Sequence, residues 1–302
     1  VARMQRLVVS NNTEAKLMNI NRYEDNAATP AGDRRSLPQF LPMVQMERLA
    51  DAQKRAPGTE AAKRATGFNI GPCLVATPHH VVYGTDTAPE SNVDYGMIVS
   101  VGVKADSQKF LGYTKDTQDV AKHERNAEGS GDGDWTVVKT KLCPGKAFGW
   151  YKPSTQSVEQ LIKAKAQVFV VSFPGDRAVG ELEVGHGNIT GSSSDTRVVE
   201  YNSSTAPGSS GGAVFVMENG EMRLVGMHIG GQHEANGNYT YKTHTKSLTN
   251  RFVPVAEFMN APRVKAALSQ DEQENGSLNK AAPFFKAAPK APKSTSTGQM
   301  SV

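Results

Sequence analysis

The sequence predicts an all-β protein built on Greek-key β-barrels, and three observations carry that prediction. From Thr66 onward, short apolar runs alternate with Gly, Pro and Asn turns, the pattern of antiparallel sheets that close on themselves. Two of these runs, Ala213 to Val216 and Arg223 to Ile229, flank Asn219-Gly220, a strong hairpin signal. The helical signals are short, at residues 41–50 and 154–163.

Taken in order, residues 1–61 form a partly helical N-terminal extension. It holds a short extended piece, Arg6 to Val9, then polar loop, then Leu41 to Ala50, whose apolar spacing predicts an amphipathic helix. A first barrel is expected over about 62–150, with strands at Pro72–Ala76, His80–Tyr83, Tyr95–Val103, Lys109–Tyr113 and Thr136–Leu142. The charged, glycine-rich Asp116 to Asp132 reads as a surface loop between them. Ser154 to Lys163 sets hydroxyls ahead of Glu159, Gln160 and Leu161, which predicts a capped short helix joining two barrels. The second barrel, about 165–260, takes Val168–Phe173, Ala178–Val184, Gly187–Thr190, Thr196–Tyr201, the hairpin and Tyr239–Thr245. Phe252 to Met259 closes the domain, placed at 62–262.

Beyond it, residues 263–302 are expected to be a disordered basic tail. Glu272 to Gly276 is turn-like, and Ala281 to Val302 is Ala, Pro, Lys, Ser and Thr without an acidic residue. Lys286, Lys290 and Lys293 make this stretch either a solvated linker or a weak basic arm for RNA, a membrane surface or an acidic partner.

Composition excludes several classes. A net charge of +4 over 302 residues is not the footprint of a dedicated nucleic-acid binder. Ala166 to Phe173, the longest apolar run, is far short of the about 20 residues a membrane-spanning helix needs. Val1-Ala-Arg-Met4 carries no signal core, so the start is expected to be that of a piece released from a longer polyprotein. Cys73 and Cys143 supply neither a disulfide framework nor a metal cluster; they are two small buried residues or one bridge.

The chemistry concentrates at Thr205-Ala-Pro-Gly-Ser-Ser-Gly-Gly-Ala213. A serine hydroxyl needs a base within hydrogen-bond reach and an uncrowded approach, and the glycines around Ser210 give the second. Gly-Ser-Ser-Gly-Gly also satisfies the nucleophile elbow of α/β-hydrolases. That elbow runs into a helix and is followed by acid, then histidine. Here a hairpin follows, and no Asp lies between Ser210 and His244. Upstream, by contrast, stand His80 before Val81-Val82, with His79 as a neighbour, and Asp134 at the head of Trp135-Thr-Val-Val138, with Asp132 close by.

His80-Val-Val, Asp134-Trp-Thr-Val-Val and Gly208-Ser-Ser210-Gly-Gly, in that order and 54 and 76 residues apart, resemble the motifs of chymotrypsin-fold (trypsin-like) serine proteases. The resemblance covers about residues 62–260 and implies two six-stranded Greek-key barrels and peptide-bond hydrolysis by a Ser-His-Asp triad. By it, His80 is the base, Asp134 its orienter, Ser210 the nucleophile, and the N–H groups of Gly208 and Ser210 the oxyanion hole. No metal or organic cofactor is implied, and the partner is a polypeptide substrate.

Thr205, five residues before Ser210, together with Gly226-Met-His228-Ile-Gly230-Gly, resembles glutamyl endopeptidases and the 3C-like and sobemovirus-like proteases of RNA viruses. That likeness implies an S1 pocket of Thr205 and His228, with Gly230 offering backbone to substrate, and cleavage after Glu or Gln. Processing of a viral polyprotein in host cytoplasm is the expected setting, and a bacterial glutamyl endopeptidase or a self-cleaving structural protein the alternatives. Gln273-Glu-Asn-Gly276 is expected to be a self-processing site.

Overall fold

The computed structural model of the protein describes residues 6–9, 13–16, 18–19, 42–47, 64–85, 88–89, 97–101, 109–114, 118–123, 133–140, 143–175, 182–192, 197–203, 205–219, 221–233 and 247–275. Three short strands open it, β1 (Arg6–Val9), β2 (Thr13–Lys16) and β3 (Met18–Asn19). Then come β4 (Met43–Glu47), β5 (Arg64–Asn69), β6 (Leu74–Thr77) and helix α1 (His79–Tyr83). Strands β7 (Gly84–Thr85) and β8 (Ala88–Pro89) pair with each other. β9 (Met97–Val101), β10 (Lys109–Thr114), β11 (Gln118–His123) and β12 (Trp135–Lys139) complete an antiparallel seven-stranded sheet, in the order β10-β9-β4-β5-β6-β12-β11.

Helices α2 (Pro144–Phe148) and α3 (Val158–Lys163) lead to the second half. There β13 (Gln167–Ser172), β14 (Glu183–Ser192), β15 (Val199–Tyr201), β16 (Ala213–Glu218), β17 (Glu221–His233) and β18 (Ser247–Pro254) follow. β15 pairs with both β14 and β18, so these six strands close into a barrel, as expected. β1 and β2 extend its edge at β18, and β3 lies on β14. Helices α4 (Val255–Met259) and α5 (Pro262–Asn275) end the described chain. The whole is an all-β, chymotrypsin-like arrangement.

Alternation along the strands builds three apolar clusters, one of them on the first sheet around Val44, Met46, Val75 and Val138. In β13, Val168 and Val170 point into the second barrel with Ile189, Tyr201, Val214 and Phe252, while Val171 faces the other way. That outer set joins side chains of the first sheet in one cluster containing Phe68, Trp135, Tyr151, Phe215 and Phe258. Its rings touch edge to face, Phe68 to Tyr151 at 6.1 Å and Tyr151 to Phe215 at 4.8 Å. Each such fully buried aromatic contributes about 1.5–3 kcal/mol, against about 1 kcal/mol for a typical hydrogen bond. Apolar burial therefore holds the two halves together, and polar contacts along the seam set its geometry.

Several expectations are corrected. Residues 43–47 are strand β4, where an amphipathic helix was expected; Met43, Val44, Gln45 and Met46 are all at most 1% exposed. A strand covered on both faces loses the apolar-polar alternation that identifies it. Residues 79–83 are a helical turn, not a strand: Pro78, which lacks an N–H for the ladder, ends β6, and its carbonyl accepts from Val81 N. Part of the supposed loop 116–132 is the edge strand β11, whose polar sequence suits an element laddered on one side only. Residues 183–184 and 187–190, expected in two separate strands, lie in the single strand β14 on either side of Gly185.

The first part of the expected disordered tail is helix α5. Val264 and Asp271 are fully buried, and Asp271 Oδ2 accepts the Cys73 N–H at 2.7 Å. Gln273 to Asn275 of the supposed self-processing site are the last residues of this helix, where Glu274 pairs with Lys139 at 3.0 Å, a helical rather than an extended presentation; Gly276 lies outside the described residues. The capped linker helix is present: Ser157 Oγ accepts from Gln160 N, and Gln160 Oε1 accepts from Ser157 N. Asn219 takes the left-handed φ of 53° that the hairpin turn requires. Cys73 and Cys143 form a disulfide. The expected strand at 239–245 and the basic stretch 281–302 lie outside the described residues.

Candidate active site

β6 and β12 run antiparallel with Thr77 opposite Thr136, and carrying that register two residues further brings Asp134 opposite residue 79. The helical turn after Pro78 then swings His80 over the carboxylate. Asp134 accepts twice from this residue, from the His80 backbone N–H at 2.9 Å and from Nδ1 at 2.5 Å. The carboxylate is 1% exposed and the imidazole 21%, so the acid is buried while the ring keeps an open edge. His79 faces elsewhere, stacked on Tyr83 at 4.6 Å. Of the two adjacent histidines, His80 is therefore the one that meets the aspartate.

The loop 205–212 is tied down from several sides. Ser209 is fully buried, its hydroxyl 3.0 Å from that of Ser172 and accepting from Ala206 N. Ser210 is the half-exposed serine of the pair. Its carbonyl accepts from Thr66 N at 2.7 Å, which joins the loop to the first sheet. Gly208 has φ of 95° and Gly211 of 90°, values that favour glycine. A Cβ on Gly211 would collide with the Thr66 carbonyl and crowd Pro78, two residues before His80. The serine loop and the turn that carries His80 are thus closely packed across the seam. Ser209, Gly211 and Gly212 spend their N–H groups on Ala206, His228 and Ser209 carbonyls. The N–H groups of Gly208 and Ser210 meet no acceptor among the described residues.

Beside this loop lies His228, on β17. Its backbone pairs with the loop at both polar groups, His228 N to Gly212 O and Gly211 N to His228 O. Its ring is 2% exposed, with Nδ1 2.7 Å from the Tyr201 hydroxyl. Burial drives the His228 pKa down to about 3; the Arg251 backbone opposes this and the nearby His80 adds to it. Burial likewise pushes the Tyr201 hydroxyl well above its ordinary value, so both groups are neutral near pH 7. Thr205 is half-buried and donates to Asn250 Oδ1 at 3.0 Å, while Asn250 Nδ2 is hydrogen-bonded to the Ser203 carbonyl. A Cβ on Gly230, two residues past His228, would meet nothing within 4 Å, so the strand is open there. Tyr201, Asn250, Ser172 and Thr66 are members of this neighbourhood that the sequence did not single out, since no spacing links them to it.

A buried acid fixed to a half-exposed histidine, beside a glycine-rich serine loop on the seam between the closed barrel and the seven-stranded sheet, defines a peptidase-like site. The trypsin-like peptidase domain family matches residues 65–227, more than half of the chain, and this chain belongs to that family. The glutamyl endopeptidase of Staphylococcus aureus strain MW2 is 26% identical over 199 residues, covering 65% of this chain and 56% of the relative. That of strain MSSA476 is also 26% identical, covering 65% and 55%. The chain thus spans little more than half the length of these relatives. The solved structure of a Glu endopeptidase in complex with MPD superposes with a TM-score of 0.51 at 18% identity, covering 87% of this chain and all of that one. It shares the fold.

Proposed function

We propose that this protein is a serine endopeptidase that cleaves polypeptides after Glu or Gln through Ser210, His80 and Asp134. The observation that carries the proposal is the buried Asp134 carboxylate gripping His80 at both N–H and Nδ1, next to a loop whose two unspent N–H groups flank Ser209. Ser210 Oγ attacks the substrate carbonyl carbon while its proton passes to His80 Nε2. Asp134 holds the Nδ1–H, which leaves Nε2 free to accept, and stabilises the imidazolium that forms. The new oxyanion is met by the N–H groups of Gly208 and Ser210. As the tetrahedral adduct collapses, the C–N bond breaks and His80 returns its proton to the leaving amine. Water then repeats the sequence on the acyl-enzyme and frees the acid product and Ser210.

For the S1 pocket, the proposal takes Thr205, His228 and Gly230. It takes the Tyr201 hydroxyl as donor to His228 Nδ1, which puts the ring proton on Nε2 as a neutral donor for a substrate side-chain oxygen in exchange for the backbone of Arg251. The Thr205 hydroxyl, its proton given to Asn250, keeps lone pairs that a carboxamide N–H can use and a carboxylate cannot. The pocket chemistry thus admits Gln, while the relatives named glutamyl endopeptidases support Glu. The two settings that share this preference are viral polyprotein processing and a bacterial glutamyl endopeptidase.

A peptide series varied only at P1 tests the reading. Cleavage after Glu or Gln, lost when His228 is replaced by Ala with cleavage after other residues unaffected, is the expected result. Cleavage after basic or aromatic residues overturns the pocket. A single cut in the protein's own chain, with none in added peptides, supports the self-cleaving alternative instead.

A further inference from the structure

The open N–H groups of Gly208 and Ser210 depend on how the peptide planes around them are held. A trans peptide points its carbonyl and the following N–H in opposite directions. The Pro207 carbonyl accepts from Gly175 N at 2.6 Å, which turns the Gly208 N–H the other way. The Ser209 carbonyl accepts from Gly212 N at 2.8 Å, which does the same for the Ser210 N–H. Both of these anchors come from the second half of the molecule. Between them stands Gly208, a glycine at φ 95°, and its carbonyl is held from the first sheet by the Thr66 hydroxyl at 2.9 Å.

Thr66 is fully buried on β5 and uses every polar group it has. Its hydroxyl donates to Gly208 O and accepts from Phe173 N at 3.0 Å, two residues before the glycine that anchors Pro207. Its N–H donates to Ser210 O at 2.7 Å. Its carbonyl accepts from Thr77 Oγ1 at 3.0 Å, at the end of the strand that delivers His80. One residue therefore ties the histidine strand, the turn at residues 173–175 and the serine loop together.

We infer that Thr66 is a positioning residue whose hydroxyl locks the Gly208–Ser209 peptide, the plane between the two peptides that carry the Gly208 and Ser210 N–H groups, so that both stay turned toward the oxyanion and the hole is assembled before substrate arrives. This rests on the proposed roles of Gly208 and Ser210. The backbone bonds of Thr66 survive any substitution that keeps the strand, but only a hydroxyl can both donate to Gly208 and accept from Phe173. Serine keeps both bonds. Valine has the shape and neither bond.

The experiment compares wild type with Thr66→Ser, Thr66→Val and Thr66→Ala, using the P1 peptide that wild type cleaves fastest. Binding is also measured for its aldehyde, whose adduct places an oxyanion in the hole, and for its reduced-bond analogue, which has no carbonyl there. Losing a single oxyanion contact costs about 100- to 1,000-fold in kcat, and loss of the lock should approach the lower figure in Thr66→Val. KM stays within about threefold, aldehyde affinity falls with kcat, and reduced-bond affinity holds. Thr66→Ser restores kcat to within about threefold of wild type.

A Val variant with kcat near wild type overturns the inference, as does one that loses aldehyde and reduced-bond affinity equally, which marks general damage. If Thr66→Val does not fold, the same comparison is made on Thr66→Ala. Failure of wild type itself to cleave any peptide or to bind any aldehyde refutes the peptidase reading, a result distinct from failure of the Thr66 lock.

Discussion

Replacing His228 by Gln should flatten the acid side of the stability profile, and the size of the change follows from the structure. The imidazole is 2% exposed and stays neutral down to about pH 3, whereas in the unfolded chain it titrates near 6.5. Below 6.5 the unfolded state takes up a proton that the folded state refuses, so stability is complete above 6.5 and falls as the pH drops toward 3. Between pH 7 and pH 5 this one group removes about 2 kcal/mol, and a folded pKa anywhere below 4 leaves that figure unchanged. Urea unfolding of wild type and His228→Gln at the two pH values isolates it, since every other titrating group is common to both proteins. Wild type should lose about 2 kcal/mol more than the variant on going from pH 7 to pH 5. Equal losses would show that His228 is charged or hydrated in the folded protein, and the neutral Nε2 donor proposed for S1 would go with it.

Other perturbations separate catalysis from architecture. Asp134→Asn should lower kcat by about 10,000-fold with KM little changed, because an amide N–H facing Nδ1 favours the tautomer whose Nε2 cannot accept a proton; stopped assays at high enzyme concentration measure it. Replacing Cys73 and Cys143 together by Ser opens a cross-link spanning 70 residues and should cost about 2–4 kcal/mol in urea unfolding, with the P1 preference intact.

The residues proposed for catalysis are legible because their signal sits in compact local motifs. His80 before two valines, Asp134 at the head of a buried strand and Ser210 among glycines each carry their signal within a few residues. Of His79 and His80, the second is the one in contact with Asp134, while His79 stacks on Tyr83. What stayed hidden depends on partners distant in sequence. Tyr201 reaches His228 across 27 positions, and Thr66 reaches Gly208 across 142; neither leaves a local trace. The same limit explains the errors of fold. β4 looked helical because both its faces are covered, and α5 looked like tail because few of its side chains are buried and one of those is an aspartate.

The central claim is that Ser210 is the nucleophile activated by His80. Its most direct measurement is intact-mass analysis with peptide mapping after treatment with a fluorophosphonate, in wild type and in Ser210→Ala, with peptide hydrolysis followed in parallel. The account predicts one adduct, mapping to Ser210, that abolishes hydrolysis, and neither adduct nor hydrolysis in the variant. An adduct on Ser209, or a Ser210→Ala protein that still turns over peptides at the wild-type rate, would contradict it.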